Sequence, residues 1–149
     1  MNLTEHFTLE ELCESDTAIR KGIDNIPDAN IIACLQLLAP GLERVRAVLG
    51  VPMRINSGYR SPKLNAAVGG AKSSAHVLGL AADFTAPMYG DPRDVCHAIM
   101  EHSEIIGFDK LIYEGTWVHV SFPDGDDPLL ETLTARFEGG SVRYERGIQ

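Results

Sequence analysis

The sequence is short of positive charge. Thirteen Lys and Arg stand against 21 Asp and Glu, for a formal net charge of −8. No Lys/Arg cluster breaks that balance, which argues against a nucleic-acid-binding face. No apolar run is long enough to span a membrane, so no membrane insertion is expected. The opening "MNLTEHFTLEELCE" lacks the basic stretch and apolar run of a signal peptide, so the expectation is a protein made in the cytoplasm. Cysteine is scarce. Cys13, Cys34 and Cys96 are odd in number, far apart and outside any CxxC pair. That excludes a disulfide framework and reads as small buried apolar residues in a reducing compartment, not a catalytic thiol. Low-complexity segments and internal repeats are also missing.

What is present suits one domain over residues 1–149, with 44% hydrophobic residues to build a core. "TLEE" from Thr8 to Glu11 is a capping box and predicts a helix to about Arg20. Ile31, Leu35, Leu38, Leu42, Val45 and Leu49 step by three and four, predicting a core-facing helix from about Asp28 to Leu49. Pro40 inside that run is expected to kink or divide it. "PMRINSGYR" reads as a strand entering a loop, "SPKLNAAV" as a short helix and "VGGAKSSAH" as a glycine-rich loop. "LAADFTA" alternates, with Leu80, Ala82, Phe84 and Ala86 on one face and Ala81, Asp83 and Thr85 on the other. "DPRDVCHAIMEH" is a helix capped by Asp91. "FDKLIYE" and "TWVHVSF" are strands, and "LTARFEGGSVRYER" is a hairpin turning at Gly139–Gly140. Helices first and strands after define an α+β class, helices packed on a small antiparallel sheet.

Five histidines are present, and two stand apart. His6, His97 and His102 sit among charged neighbours and read as surface or incidental packing. His119 lies mid-strand, sharing a face with Trp117 and Ser121 while Val118, Val120 and Phe122 take the apolar side. His76 precedes the strand that carries Asp83, a charge unfavourable in a strand without a partner. Two imidazoles and a carboxylate are a ligand set for zinc, and three protein ligands leave a fourth position open. His and Asp are common at strand ends, however, and an H-x6-D spacing alone is weak.

"SAHVLGLAAD" carries Ser74, His76, Gly79, Ala81 and Asp83 in the S-x-H-x-x-G-x-A-x-D pattern that resembles the M15 zinc peptidases. "WVHVSF" looks like their second histidine motif and "SGYRSPKLN" like their arginine-bearing segment. "FTLEEL" and "GIDNIP" resemble the compact, phage-associated branch. The resemblance implies a Hedgehog/DD-peptidase-like fold with one Zn²⁺ bound by His76, Asp83 and His119. It implies that Arg60 holds a substrate carboxylate or a developing oxyanion, a task suited to its charged fork of donors. Ser74 would hydrogen-bond a ligand or the substrate, and Trp117 could contact the peptide. The implied partner is the peptidoglycan stem peptide, cut by a D,D-carboxypeptidase or L-alanyl-D-glutamate endopeptidase activity. The protein would be a monomer, acting on the cell wall after release or as part of a virion.

One position departs from the pattern. Many relatives carry a Glu, Asp or His three residues before the second zinc histidine, and here that residue is Thr116. The nearest carboxylate is Glu114. If "GT" is a two-residue hairpin loop, Glu114 pairs with Trp117 and Ile112 with His119, which sets Glu114 on the face of His119. Glu114 is therefore the candidate general base, ahead of Asp109. Without a working base, the competing expectation is a zinc-containing module that binds the wall or serves a virion structurally. Hedgehog signalling domains, which resemble these peptidases, show that such a fold need not cleave.

Overall fold

The computed structural model describes residues 1–149. Thr8 opens the first helix as expected, accepting the Glu11 N–H at 3.1 Å. That helix, α1 (Leu9–Cys13), stops at an extended Glu14. Ser15 then caps a separate helix, α2 (Asp16–Lys21), by accepting the Ala18 N–H at 3.1 Å. The single helix expected here is thus two, because a second serine cap offers the backbone another start.

Helix α3 (Ala29–Leu49) begins on Asp28 and runs unbroken through Pro40. The proline was expected to kink or divide it, and it does not divide it. An interior proline costs a helix about 3 kcal/mol. Leu35, Leu38, Leu42 and Val45 are fully buried on the same helix, and each such side chain stabilises by roughly 1.5–3 kcal/mol. The packing outweighs the lost hydrogen bond.

Strand β1 (Arg54–Ser57), helix α4 (Pro62–Ala67), a single-turn helix α5 (Ala75–Leu78) and strand β2 (Ala81–Thr85) follow. Next come α6 (Pro92–Glu101), α7 (Ser103–Ile106), β3 (Lys110–Tyr113), β4 (Val118–Ser121), β5 (Glu131–Glu138) and β6 (Ser141–Arg146). Helix α5 occupies what reads in sequence as the end of a loop, and α7 has no sequence counterpart in the expectations above.

The six strands form one sheet in the order β1-β2-β4-β3-β5-β6. It is mixed, not antiparallel as expected, because β3 and β5 run parallel. The chain leaving β4 docks beside the start of β3: Leu130 N–H donates to Phe108 O at 3.1 Å and Glu131 N–H to Asp109 O at 2.8 Å. Leu129 N–H donates to the Asp109 carboxylate at 3.0 Å. Strand β5 therefore begins where β3 begins and must run with it.

One sheet face builds the core. Ala82, Phe84, Leu111, Val118 and Val120 pack with residues of α3 and α6 such as Leu38, Leu42, Val95 and Ile99. The period-two alternation then turns Asp83 and His119 to the opposite face.

Candidate metal centre

Asp83 and His119 are direct partners across the β2–β4 ladder. His76 reaches them from α5. The Ser74 hydroxyl caps this turn by accepting the His76 N–H at 3.2 Å. Gly79 ends it at φ +78°, a left-handed conformation that glycine adopts without penalty. The chain thereby reverses between His76 and Asp83, bringing both to one point.

His76 Nε2 lies 3.1 Å and His119 Nδ1 3.0 Å from the same oxygen, Asp83 Oδ1. All three side chains are buried, and the two imidazole rings meet edge-on with centroids 5.1 Å apart. His76 Nδ1 sits 2.7 Å from the Gly58 carbonyl. A carbonyl only accepts, so Nδ1 carries the proton. Nε2 is thereby the His76 nitrogen that faces the Asp83 carboxylate oxygen, a position that a proton or a divalent cation would bridge. Donor atoms of the three residues lie within 4.8 Å of one another. Zinc bonds of about 2.0–2.2 Å put tetrahedral ligand atoms roughly 3.3–3.6 Å apart, within the spread of these donors. The residues fit the ion in type and spacing, and the Gly58 carbonyl orients His76 as such a ligand would need.

Gly58 is itself fixed by packing. A Cβ there would collide with the Leu12 carbonyl, which accepts the Tyr59 N–H at 2.7 Å. The first helix thus holds the loop that orients His76.

Arg60 faces this cluster as much as the cleft. Its Nη2 donates to Asp83 Oδ2 at 3.3 Å, its Nε to Ser57 Oγ at 3.1 Å and its Nη1 to Asn65 Oδ1 at 2.9 Å. Three of its five N–H groups are engaged, leaving two for a ligand. Asn65 is buried, and its amide donates to Ala71 O at 2.8 Å, tying the glycine-rich loop to Arg60. The sequence reading missed Asn65; its place beside Leu64 on the inner side of a short helix was the signal available.

Ile112 pairs with His119, and Glu114 N–H donates to Trp117 O at 3.1 Å. The two-residue hairpin therefore has the register expected of it. Gly115 takes φ +83°, and Thr116 N–H closes a three-residue turn on Glu114 O at 3.0 Å. Glu114 lines the same cleft as His119 and Asp83. Its Oε2 accepts the Trp117 indole N–H at 3.0 Å. Asp109 also reaches the cleft, but one oxygen is taken by Leu129.

Charge follows this geometry. Burial pushes the Asp83 carboxyl up, yet hydrogen bonds from His119 and His76 overcome it and hold the group well below the usual carboxylate range. Burial, and then the charge of Asp83, raise Glu114 above an ordinary glutamate. The two carboxyl groups in one cleft are thus shifted in opposite directions, Asp83 down and Glu114 up.

The cleft measures about 490 Å³, enough for several residues of peptide. Leu133, Phe137, Val142 and Tyr144 of β5 and β6 form its far wall. The sequence reading found their hairpin and left its faces unassigned, although alternation along it was visible.

The other candidates stay outside. His6 pairs with Glu43 at 2.7 Å, and His102 Nδ1 donates to Ala98 O at 2.9 Å. The cysteines are free. Cys96 is buried, its thiol pushed up to about 12 by burial, whereas Cys13 and Cys34 are only half-buried, so the buried reading holds for Cys96 alone.

The α+β domain thus carries, on the open face of its sheet, a buried group of two histidines and one aspartate suited to holding a metal ion. Residues 5–121 match the family model described as Peptidase M15, and the chain belongs to that family. Membership supports a metallopeptidase. No curated protein matches the chain.

Proposed function

We propose that this protein is a zinc-dependent peptidase that hydrolyses a peptide bond in the peptidoglycan stem peptide, on a Hedgehog/DD-peptidase-like fold. The observation that carries the reading is the shared cleft: His76, Asp83 and His119 converge within 4.8 Å, and Glu114 lines the same cavity. The three residues would hold one zinc ion. Zinc supplies a Lewis acid that acidifies water and polarises a carbonyl.

The chain's own residues do the rest. Glu114 takes a proton from the attacking water and delivers it to the leaving amine. Trp117 fixes the Glu114 carboxylate by its 3.0 Å hydrogen bond. Arg60 holds Asp83 in its ligating orientation, and its two free N–H groups take a substrate carboxylate or the developing oxyanion. Ser74 sets the His76 turn.

Carboxypeptidase and endopeptidase versions share this chemistry. Incubation of purified muropeptides with the zinc-loaded protein, followed by mass spectrometry, names the bond. New fragments are expected. Tight zinc binding without any cleavage would sink the enzyme reading and leave the non-catalytic wall-binding or virion module as its competitor.

A further inference from the structure

The β5–β6 hairpin has two unlike faces. Arg136, Glu138, Arg143 and Glu145 lie on one, and they pair with one another at 2.8–3.2 Å. Leu133, Phe137, Val142 and Tyr144 lie on the other. Register fixes which way that second face points. Asp83 pairs with His119, His119 with Ile112, and Ile112 with Leu133. Paired residues share a face, so the metal-ligand row runs straight into the apolar side of the hairpin.

That side is not core. Phe137 is 61%, Val142 43% and Tyr144 50% exposed, yet all three line the cleft. A hairpin that merely closed the sheet would bury these residues or make them polar. Their neighbour across the cleft is Trp117, its ring centroid 6.4 Å from that of Phe137. Tyr144 pairs with Ala135, a small residue that leaves its ring room over the sheet. The opposite end of the cleft is polar and charged, with Arg60 beside Ser57 and Asp83.

We propose that the apolar face of the β5–β6 hairpin is a specificity wall that binds the uncharged part of the peptide substrate, with Phe137, Val142 and Tyr144 as its contacts. The proposal rests on the peptidase reading above and adds a direction to it. Substrate lies across the strands, its carboxylate-bearing end toward Arg60 and its apolar end on the hairpin. Strands stand about 4.8 Å apart, so the two to three spacings from β4 to β5 and β6 cover roughly 10–14 Å. An extended peptide covers that with about three or four residues. The wall lies beyond residue 121, where the family match ends, so it distinguishes this chain's substrate and not the family's shared chemistry.

Trp117 is the only tryptophan and reports directly on the wall. The zinc-loaded protein is titrated with purified muropeptides and with capped hexapeptides bearing either leucines or aspartates, while Trp117 fluorescence is followed. Leucine peptides are expected to bind and aspartate peptides not to. Phe137→Ser and Val142→Ser each weaken binding about tenfold, the scale of losing one buried apolar side chain. Zinc content and melting temperature stay unchanged, because both residues are exposed. Arg143→Ser, on the other face, binds as wild type.

Unchanged affinity in both wall variants overturns the proposal, as does a Trp117 signal blind to every apolar peptide. Leucine peptides that bind while muropeptides neither bind nor react keep the wall and sink the peptidoglycan reading. Muropeptides cleaved with unaltered KM in both variants do the reverse.

Discussion

Trp117 donates its indole N–H to Glu114 Oε2 at 3.0 Å, across the two-residue turn that joins β3 to β4. The contact ties a carboxylate in the metal cleft to the strand that bears His119. It also tunes that carboxylate. Burial and then the Asp83 charge raise the Glu114 pKa, while the Trp117 hydrogen bond is among the effects that lower it. A general base works only when ionised, so activity falls as pH drops through the Glu114 pKa. The acidic limb of kcat/KM is expected above the 4.5 of an ordinary glutamate. Trp117→Phe removes a stabiliser of the anion and should move that limb to higher pH. A limb that stays in place, or moves down, separates Glu114 from the profile.

Glu114→Gln keeps the shape and removes the base. Turnover should fall by about 10²–10⁴-fold, the usual contribution of a positioned acid–base group. Zinc stoichiometry should be retained, because Glu114 is not among the three clustered donors. Near-normal turnover in this variant would assign the proton transfer to another group.

The His76, Asp83 and His119 cluster was legible only in part from strand period, which sorts Asp83 and His119; His76, on a helical turn, entered through the resemblance to the M15 peptidases. Alternation alone puts Asp83 and His119 opposite the Phe84 and Val120 side, and a tight "GT" turn carries that parity to Glu114. The turn chemistry was equally plain at Thr8 and Asp91, each a helix cap. The parallel β3–β5 pair was not legible. It depends on Leu129, Leu130 and Glu131 docking beside Phe108 and Asp109, a contact between segments with no local signature. Pro40 does not divide α3 for a related reason: propensity is local, and the burial that overrides it is not. Arg60 was visible as a charge in a loop, but its grip on Asp83 arises only when β1, α4 and β2 are brought together.

That grip makes Arg60 a test of two roles. If it mainly orients Asp83, Arg60→Gln should weaken zinc binding about 10–100-fold, as losses around a ligand usually do. If it mainly holds substrate, KM should rise while zinc affinity stays near wild type. Competition with a chelator and steady-state kinetics on one preparation separate the two. The 3.3 Å contact with Asp83 Oδ2 predicts that zinc affinity falls. An unaltered zinc affinity would return Arg60 to a role in substrate binding alone.

Gly58 couples the helical layer to the metal centre. Its carbonyl meets His76 Nδ1 at 2.7 Å, and its Cα lies against the backbone of Leu12. Gly58→Ala forces a methyl group into the Leu12 carbonyl, and neither backbone can yield without shifting α1 or β1. Overpacking of this kind costs about 1–3 kcal/mol. With a urea m-value of about 1–3 kcal/mol/M, the unfolding midpoint should drop by roughly 1 M. The same shift moves the carbonyl that keeps the proton on Nδ1, so zinc affinity should fall with stability. Gly50→Ala supplies the comparison, since a Cβ at Gly50 meets nothing within 4 Å although its φ is +69°. It should cost stability through backbone strain and leave zinc affinity alone. Equal losses of zinc affinity in both variants would mean that global destabilisation, not the Gly58 carbonyl, governs the metal site.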